Sequence, residues 1–171
     1  MALPRKLKNL MMFVDGVEYA GQVPSVTLPK LTRKTEAYSA GGMAGAVGID
    51  HGLDDDALIV EWERGGWARE ETRALGTARL DGVLIRFTGS LQREDTGAVD
   101  SVEIIMRGRH EEIDRGEAKR GEDTSTKIKT RCAYYKETFN GITDVEIDVL
   151  NMVEAYGGVD RQAEHRRALG L

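Results

Sequence analysis

Three histidines, one cysteine and several runs of carboxylates are the residues of this sequence with catalytic or ligating potential. His51 lies in a glycine-rich stretch, His110 in a charged strand pattern and His165 in a terminal helical pattern, and their spacing matches no zinc site. No GxSxG elbow or equivalent accompanies them, so a nucleophile with a histidine base is not expected. Asp144, Glu146 and Asp148 recur at two-residue spacing and therefore share one strand face. Acid–base work on a glycoside needs two carboxylates in unlike environments, which a solvated row does not supply. Cys132, alone, excludes an internal disulfide and sits on an apolar strand face as a small hydrophobe. These residues predict no enzyme, no metal and no cofactor.

The stretch Ala40 to Gly52, AGGMAGAVGIDHG, sets Gly41, Gly42, Gly45, Gly48 and Gly52 around Met43. A phosphate cradle would need a Walker Lys-Ser or Lys-Thr or a clean GxGxxG opening a helix. The segment has neither and runs into Asp54-Asp55-Asp56, so it reads as a flexible or tightly turning loop.

The acidic row belongs to Thr126–Tyr156, which reads as one long β-hairpin about Asn140-Gly141. That dipeptide favours a type I′ turn, because both central positions need positive φ. Phe139 then faces Ile142. Counting outward pairs Tyr134 with Ile147, Cys132 with Val149 and Ile128 with Val153, making these the apolar core of the hairpin. The other face pairs Lys127 with Glu154, Tyr135 with Glu146 and Ala133 with Asp148, and sets Glu137 against Asp144 at some cost in repulsion.

Before the hairpin the chain reads as strands. Residues 1–9 carry Arg5, Lys6 and Lys8 without periodicity and are expected to form an extended arm. Asp15-Gly16 signals a second tight hairpin between Leu10–Val14 and Val17–Tyr19. Pro24 and Pro29 mark Val23–Glu36 as an edge or bulged strand. Ala57–Glu63 places Leu58, Val60 and Trp62 on one face. Gly65–Leu75 reads as a short helix with Trp67, Ala74 and Leu75 able to face the core and a stop at Gly76. Two long strands follow in Gly82–Arg93 and Val99–Ile113, joined through Asp95-Thr96-Gly97. Residues 115–126 form a surface loop, and a short C-terminal helix follows Gly157-Gly158. The fold class is mainly β: an antiparallel sandwich or barrel with one flanking short helix and a C-terminal one, in a single domain spanning 1–171.

A chain of 171 residues affords a core, and 40% hydrophobic with 31% charged residues is ordinary for a globular protein. The balance of 24 basic against 29 acidic side chains, net −5, excludes a surface built to grip nucleic-acid phosphates. Leu10–Val14 is too short for a signal-peptide core, and no apolar run approaches membrane-spanning length, so no membrane contact is expected. Acidic one-signed faces, proline-marked edges and no site chemistry point to assembly as the function. A ligand-binding β-barrel is the alternative of another class, with an apolar cavity as its signature.

Four segments carry a resemblance: LPRKLKNLMMFVDG (Leu3 to Gly16), VPSVTLPKLTRKTEAYSAGGMAG (Val23 to Gly45), IIMRGRHEEIDRGEAKRGE (Ile104 to Glu122) and YYKETFNGITDVEIDVLNMVEAYGGVDRQAEHRRALGL (Tyr134 to Leu171). In them the chain resembles the major tail tube proteins of contractile-tailed bacteriophages, a family shared with the tubes of R-type pyocin-like bacteriocins. The resemblance implies a virion protein assembled in the host cytoplasm, forming hexameric rings that stack into a hollow tube within a sheath. Its implied partners are further copies of itself, the tail sheath protein, a baseplate initiator, a tail terminator, the tape measure protein and then genomic DNA in the lumen. On this reading Asp144, Glu146 and Asp148 line the lumen, where acidic walls repel phosphates; the competing placement is the outer surface, against the sheath. Gly41, Gly42, Met43, Gly45 and Gly48 are expected to join stacked rings. A bacteriocin tube or a secretion-system tube would share the architecture.

Overall fold

The computed structural model describes residues 3–171, so residues 1 and 2 of the expected arm lie outside it. Twelve strands and two short helices follow in chain order: β1 (Lys6–Val14), β2 (Val17–Glu18), β3 (Ser25–Thr27), β4 (Arg33–Tyr38), β5 (Val47–Leu53), β6 (Ile59–Gly65), α1 (Arg69–Ala74), β7 (Val83–Gln92), β8 (Val99–Asp114), β9 (Ser125–Phe139), β10 (Ile142–Asp148), β11 (Val153–Tyr156), β12 (Val159–Asp160) and α2 (Ala163–Leu169). The arm therefore passes into β1 at Lys6, and the 115–126 loop ends at β9 one residue pair early, with Ser125 and Thr126 already paired to Gly65 and Arg64.

Both glycine turns form as their chemistry dictates. Asp15 and Gly16 take φ of 49° and 82°, and Asn140 and Gly141 take 46° and 81°. These positive pairs are the type I′ signature that lets two twisted strands meet in two residues. Asn140 does more than turn. Its Oδ1 accepts from the Ser101 amide at 2.8 Å and its Nδ2 donates to Asp100 at 2.8 Å, so the tip is tied back onto β8.

The main sheet runs β12-β11-β10-β9-β8-β7-β1-β2, with β6 also on β9 and β3 on the outer side of β6. Strand β9 is the branch point. Its first half, Ser125 to Arg131, pairs with β6, and its second half, Tyr134 to Phe139, pairs with β10. At the fork the Cys132 amide donates to Leu58 O and the Ala133 carbonyl accepts from the Val149 amide, both at 2.9 Å. The β6 branch curls over the core, so that Tyr19, just after β2, stacks on Trp62 with centroids 6.0 Å apart. Gly65 N donates to Gln22 O at 2.7 Å, which nearly closes a barrel.

The barrel interior is filled by side chains, with Met12, Val60, Ile85, Met106 and Ile128 among the most buried. Helix α1 turns both a charge and a small apolar side chain inward, with Ala74 packed against the core. Glu71 is fully buried, and its two oxygens accept from Arg64 Nη1 at 2.8 and 2.7 Å. The guanidinium also packs on the Tyr19 ring at 4.5 Å. Pairing of this kind is required, since either charge left alone in the core costs several kcal/mol. Trp67, expected inside, is 61% exposed beneath Arg115. It precedes the N-cap Ala68, so it lies outside the helical repeat that brings Ala68 and Glu71 inward.

The expected register of the long hairpin holds only at its tip. Phe139 pairs with Ile142 and Thr138 with Thr143; a bulge at Asp144 then shifts the rest by one, so that Glu137 meets Val145 and Tyr135 meets Ile147. A second bulge in β9, where Arg107 pairs with Tyr134 and Gly108 with Cys132, makes Ala133 the extra residue and flips the inward phase. Cys132 and Tyr135 therefore both point inward, with Ile128 and Ile147, and Tyr134 moves to the opposite face. Val149, expected in the core, is 54% exposed, because the chain turns between Asp148 and Val153 and returns as β11. Glu154 thereby pairs with Ile147 rather than Lys127, and Glu137 stands opposite Val145 rather than Asp144.

Candidate functional site

No catalytic constellation assembles from the sequence candidates. His51 lies 3.3 Å from Glu36 on β4, His110 is buried with Nδ1 2.7 Å from Thr130 Oγ1, and His165 sits on α2. Among the described residues no group of three or more His, Cys, Asp or Glu is arranged to hold a metal ion. Burial pushes the Cys132 thiol up to about 12, which removes it as a nucleophile at neutral pH. A groove of about 340 Å³ between β3, β6, β9 and β8 is open to solvent and lined by Glu61, Glu63, Glu112, Asp114, Lys127 and Lys129 together with Trp62 and Ile128. The features that offer function are therefore surfaces.

The first is the hairpin of β4 and β5, a separate two-stranded sheet. The glycine segment divides here. Gly41, Gly42, Met43 and Gly45 form the tip, with Gly42 at φ 87°, whereas Gly48 lies inside β5 opposite Ala37. Register sets Tyr38 against Val47 and Glu36 against Ile49, so one face of the hairpin carries three large apolar side chains. They remain 55%, 48% and 43% exposed for Tyr38, Val47 and Ile49. An isolated hairpin is marginal in water, and an apolar face on one calls for a partner.

Its root is anchored by charge. Arg33 Nε donates to both Asp50 oxygens at 3.1 and 2.9 Å, while its Nη1 pairs with Glu154 of β11. Hydrogen bonding to Arg33 holds the Asp50 carboxyl below the ordinary carboxylate range. Sequence reading did not single out Arg33; the one available sign was a lone arginine between the prolines and the glycine segment.

The second surface is the outer face of the β7–β10 sheet, which carries the acidic row. Glu146 and Asp148 lie there, opposite Lys136 and Tyr134, and Arg107 follows on β8 opposite Tyr134. Asp144 occupies the bulge and has no paired residue in β9. The face is thus mixed rather than one-signed. Tyr134 OH donates to Glu146 Oε1 at 2.9 Å, and burial together with that carboxylate pushes the Tyr134 hydroxyl up to about 12. The Asp148 carboxylate is engaged in the β10–β11 turn, accepting from the Asn151 amide at 3.0 Å and from Asn151 Nδ2 at 2.7 Å.

The third is a pair of sheet edges. Along one, β2 pairs with Phe13 and Val14 of β1 and the Tyr19 amide donates to Met12 O at 2.9 Å, so that among the described residues Lys6–Met11 have β7 alone as ladder partner. At the other end β12 pairs through Val159 and Asp160 only. Unpaired edges on opposite ends of one sheet are suited to head-to-tail association of identical chains. Among the described residues no helix is long and apolar enough to cross a membrane.

The chain is similar to known proteins over nearly its whole length. The family model described as phage tail tube protein FII matches residues 4–170. The tail tube protein of Escherichia phage P2 is 52% identical over 172 residues, covering all of both chains. The major tail tube protein of Serratia phage KSP20 is 44% identical over 153 residues, covering 90% of this chain and 88% of its own. Among solved structures, the fold is similar to a chain of the sheath/tube terminator of an extracellular contractile injection system. The TM-score is 0.57 at 11% identity, with 79% of this chain and 96% of the other covered. A chain of the anti-feeding prophage baseplate is similar at TM-score 0.51 and 10% identity, over 81% and 97% of the two chains.

Proposed function

The chain belongs to the phage tail tube protein FII family, whose members here are structural tail components and not enzymes, and from that premise we propose how its surfaces build a tube. Copies join edge to edge, β1 of one beside the β11–β12 end of the next, and six close a ring. Rings stack through the β4–β5 hairpin, whose Tyr38, Val47 and Ile49 face is covered by a subunit of the adjoining ring. That exposed apolar face on a projecting hairpin is the observation that carries the proposal.

The outer face of the β7–β10 sheet lines the lumen. Asp144, Glu146 and Asp148 face the passing tape measure protein and then genomic DNA, with Lys136 and Arg107 among them. Interspersed charge keeps the wall wet without attracting phosphates along a continuous basic path. A sheath surrounds the tube, a baseplate initiator starts it and a terminator ends it. The strong phage relatives favour a phage tail over a bacteriocin or secretion tube. A ligand-binding barrel finds no support in an interior filled by Met12, Ile85, Met106 and Ile128.

Negative-stain electron microscopy of the purified protein, with and without a baseplate fraction to nucleate growth, tests this. Stacked six-fold rings with a hollow core are expected. A uniform monomer that never polymerises and retains a small ligand by native mass spectrometry would contradict it.

A further inference from the structure

At the root of the hairpin Leu53 packs against the core, and Arg33 makes the charged link between the hairpin and β11. Arg33 is the first residue of β4, at a register shift between Arg33 and Thr35 that turns its side chain toward the main sheet. One nitrogen set grips Asp50 on the facing strand of the hairpin, with Nη2 2.7 Å from Oδ2. Nη1 grips Glu154, which is 4% exposed. Glu154 is itself immobilised: Tyr156 OH donates to Oε1 at 3.0 Å and Gln162 Nε2 to Oε2 at 3.1 Å. The Glu154 amide donates to Asp160 Oδ1 at 3.2 Å, and Asp160 is in turn paired with Arg166 of α2 at 2.6 Å. The other charged tie at the root, Lys34–Asp55, is an exposed pair of little worth.

We infer that Arg33 is a positioning residue that fixes the angle of the β4–β5 hairpin against the β11–β12 edge, so that the stacking element and the ring-closing edge move as one rigid body. This rests on the stacking role proposed above for the hairpin. A planar guanidinium can satisfy two carboxylates at once in fixed geometry, which a lysine cannot. The partner of Arg33 in the core side of the joint is buried, so removal of the arginine leaves a desolvated carboxylate and a free hairpin.

Spin labels on Ser39→Cys at the hairpin tip and Arg109→Cys on β8 measure the angle as a distance distribution in the unassembled protein. The parent is expected to give one narrow distribution. Arg33→Met broadens it at least two-fold, Arg33→Lys restores it in part, and Asp50→Ala broadens it without touching the buried Glu154. The Asp50 variant keeps the test alive if Arg33→Met fails to fold. An unchanged distribution in the folded variants overturns the inference. Broadening with undiminished tube yield leaves the joint standing and removes the stacking role of the hairpin, so the two ideas fail separately.

Discussion

Tyr135 of β9 stands directly opposite Ile147 of β10, both with almost no exposed surface, while Tyr134 on the other face donates its hydroxyl to Glu146. Two adjacent tyrosines on one strand thus have opposite fates, and two bulges decide which is core. The placement of every side chain on the proposed lumen wall follows from that choice.

Truncation separates the two tyrosines. Tyr135→Ala is expected to cost about 3–5 kcal/mol, the range for a large aromatic removed from a packed core. Tyr134→Ala is expected to cost about 1 kcal/mol, the worth of its hydrogen bond. Urea denaturation of the unassembled protein measures both, and equal losses would restore the unbulged register.

Gly108 faces the Ala133 bulge, and a Cβ placed on it would overlap the Arg131 carbonyl and crowd Cys132 Cα at 2.9 Å. These are backbone atoms and cannot swing aside. Gly108→Ala is therefore expected to destabilise by about 1–3 kcal/mol, as overpacking does, with a matching drop in the urea midpoint. A neutral result would mean that the bulge relaxes freely.

Burial holds the His110 imidazole below its ordinary 6.5, although the carboxylates of Glu71 and Asp15 pull the other way and Thr130 is hydrogen-bonded to it. The folded state thus binds fewer protons than the unfolded one. The contribution is full above 6.5 and is lost as pH falls from there through the lower folded value. Denaturation midpoints should fall between pH 7 and pH 5, and His110→Gln should flatten that slope. Identical slopes would show that other groups set it.

The hairpin face should matter to assembly and not to the fold. Tyr38→Ser with Ile49→Ser replaces exposed groups, so the unassembled protein should unfold within about 0.5 kcal/mol of the parent. Tube yield by sedimentation should fall at least ten-fold. Normal yield would remove this face from the contact.

The tight turns were legible because Asp15-Gly16 and Asn140-Gly141 carry their own backbone demand. The inward set Leu58, Val60 and Trp62 was legible because strict alternation admits one phase. The bulges were not: Cys132-Ala133-Tyr134-Tyr135 offers an aromatic in either phase, and nothing local marks Ala133 as the extra residue. The Val149–Met152 turn was hidden too, since it has no glycine or proline and relies on Met152 at φ 56° with the Asp148 carboxylate holding Asn151. Of the candidate surfaces, the glycine tip and acidic row were visible. The apolar hairpin face was not, because Val47 and Ile49 alternate with Gly48 inside a glycine-rich run that carries no strand signal, and Arg33 acquires meaning only when folding brings Glu154 to it.

The most direct measurement of the central claim is a cryo-EM reconstruction of tubes grown from this chain. Six-fold rings are expected, with the β4–β5 hairpin of each subunit lying across a neighbour in the adjoining ring, Tyr38, Val47 and Ile49 covered, and Glu146 and Lys136 facing a water-filled lumen. Tubes in which that hairpin face stays in solvent while Glu146 packs against a neighbouring core would contradict it.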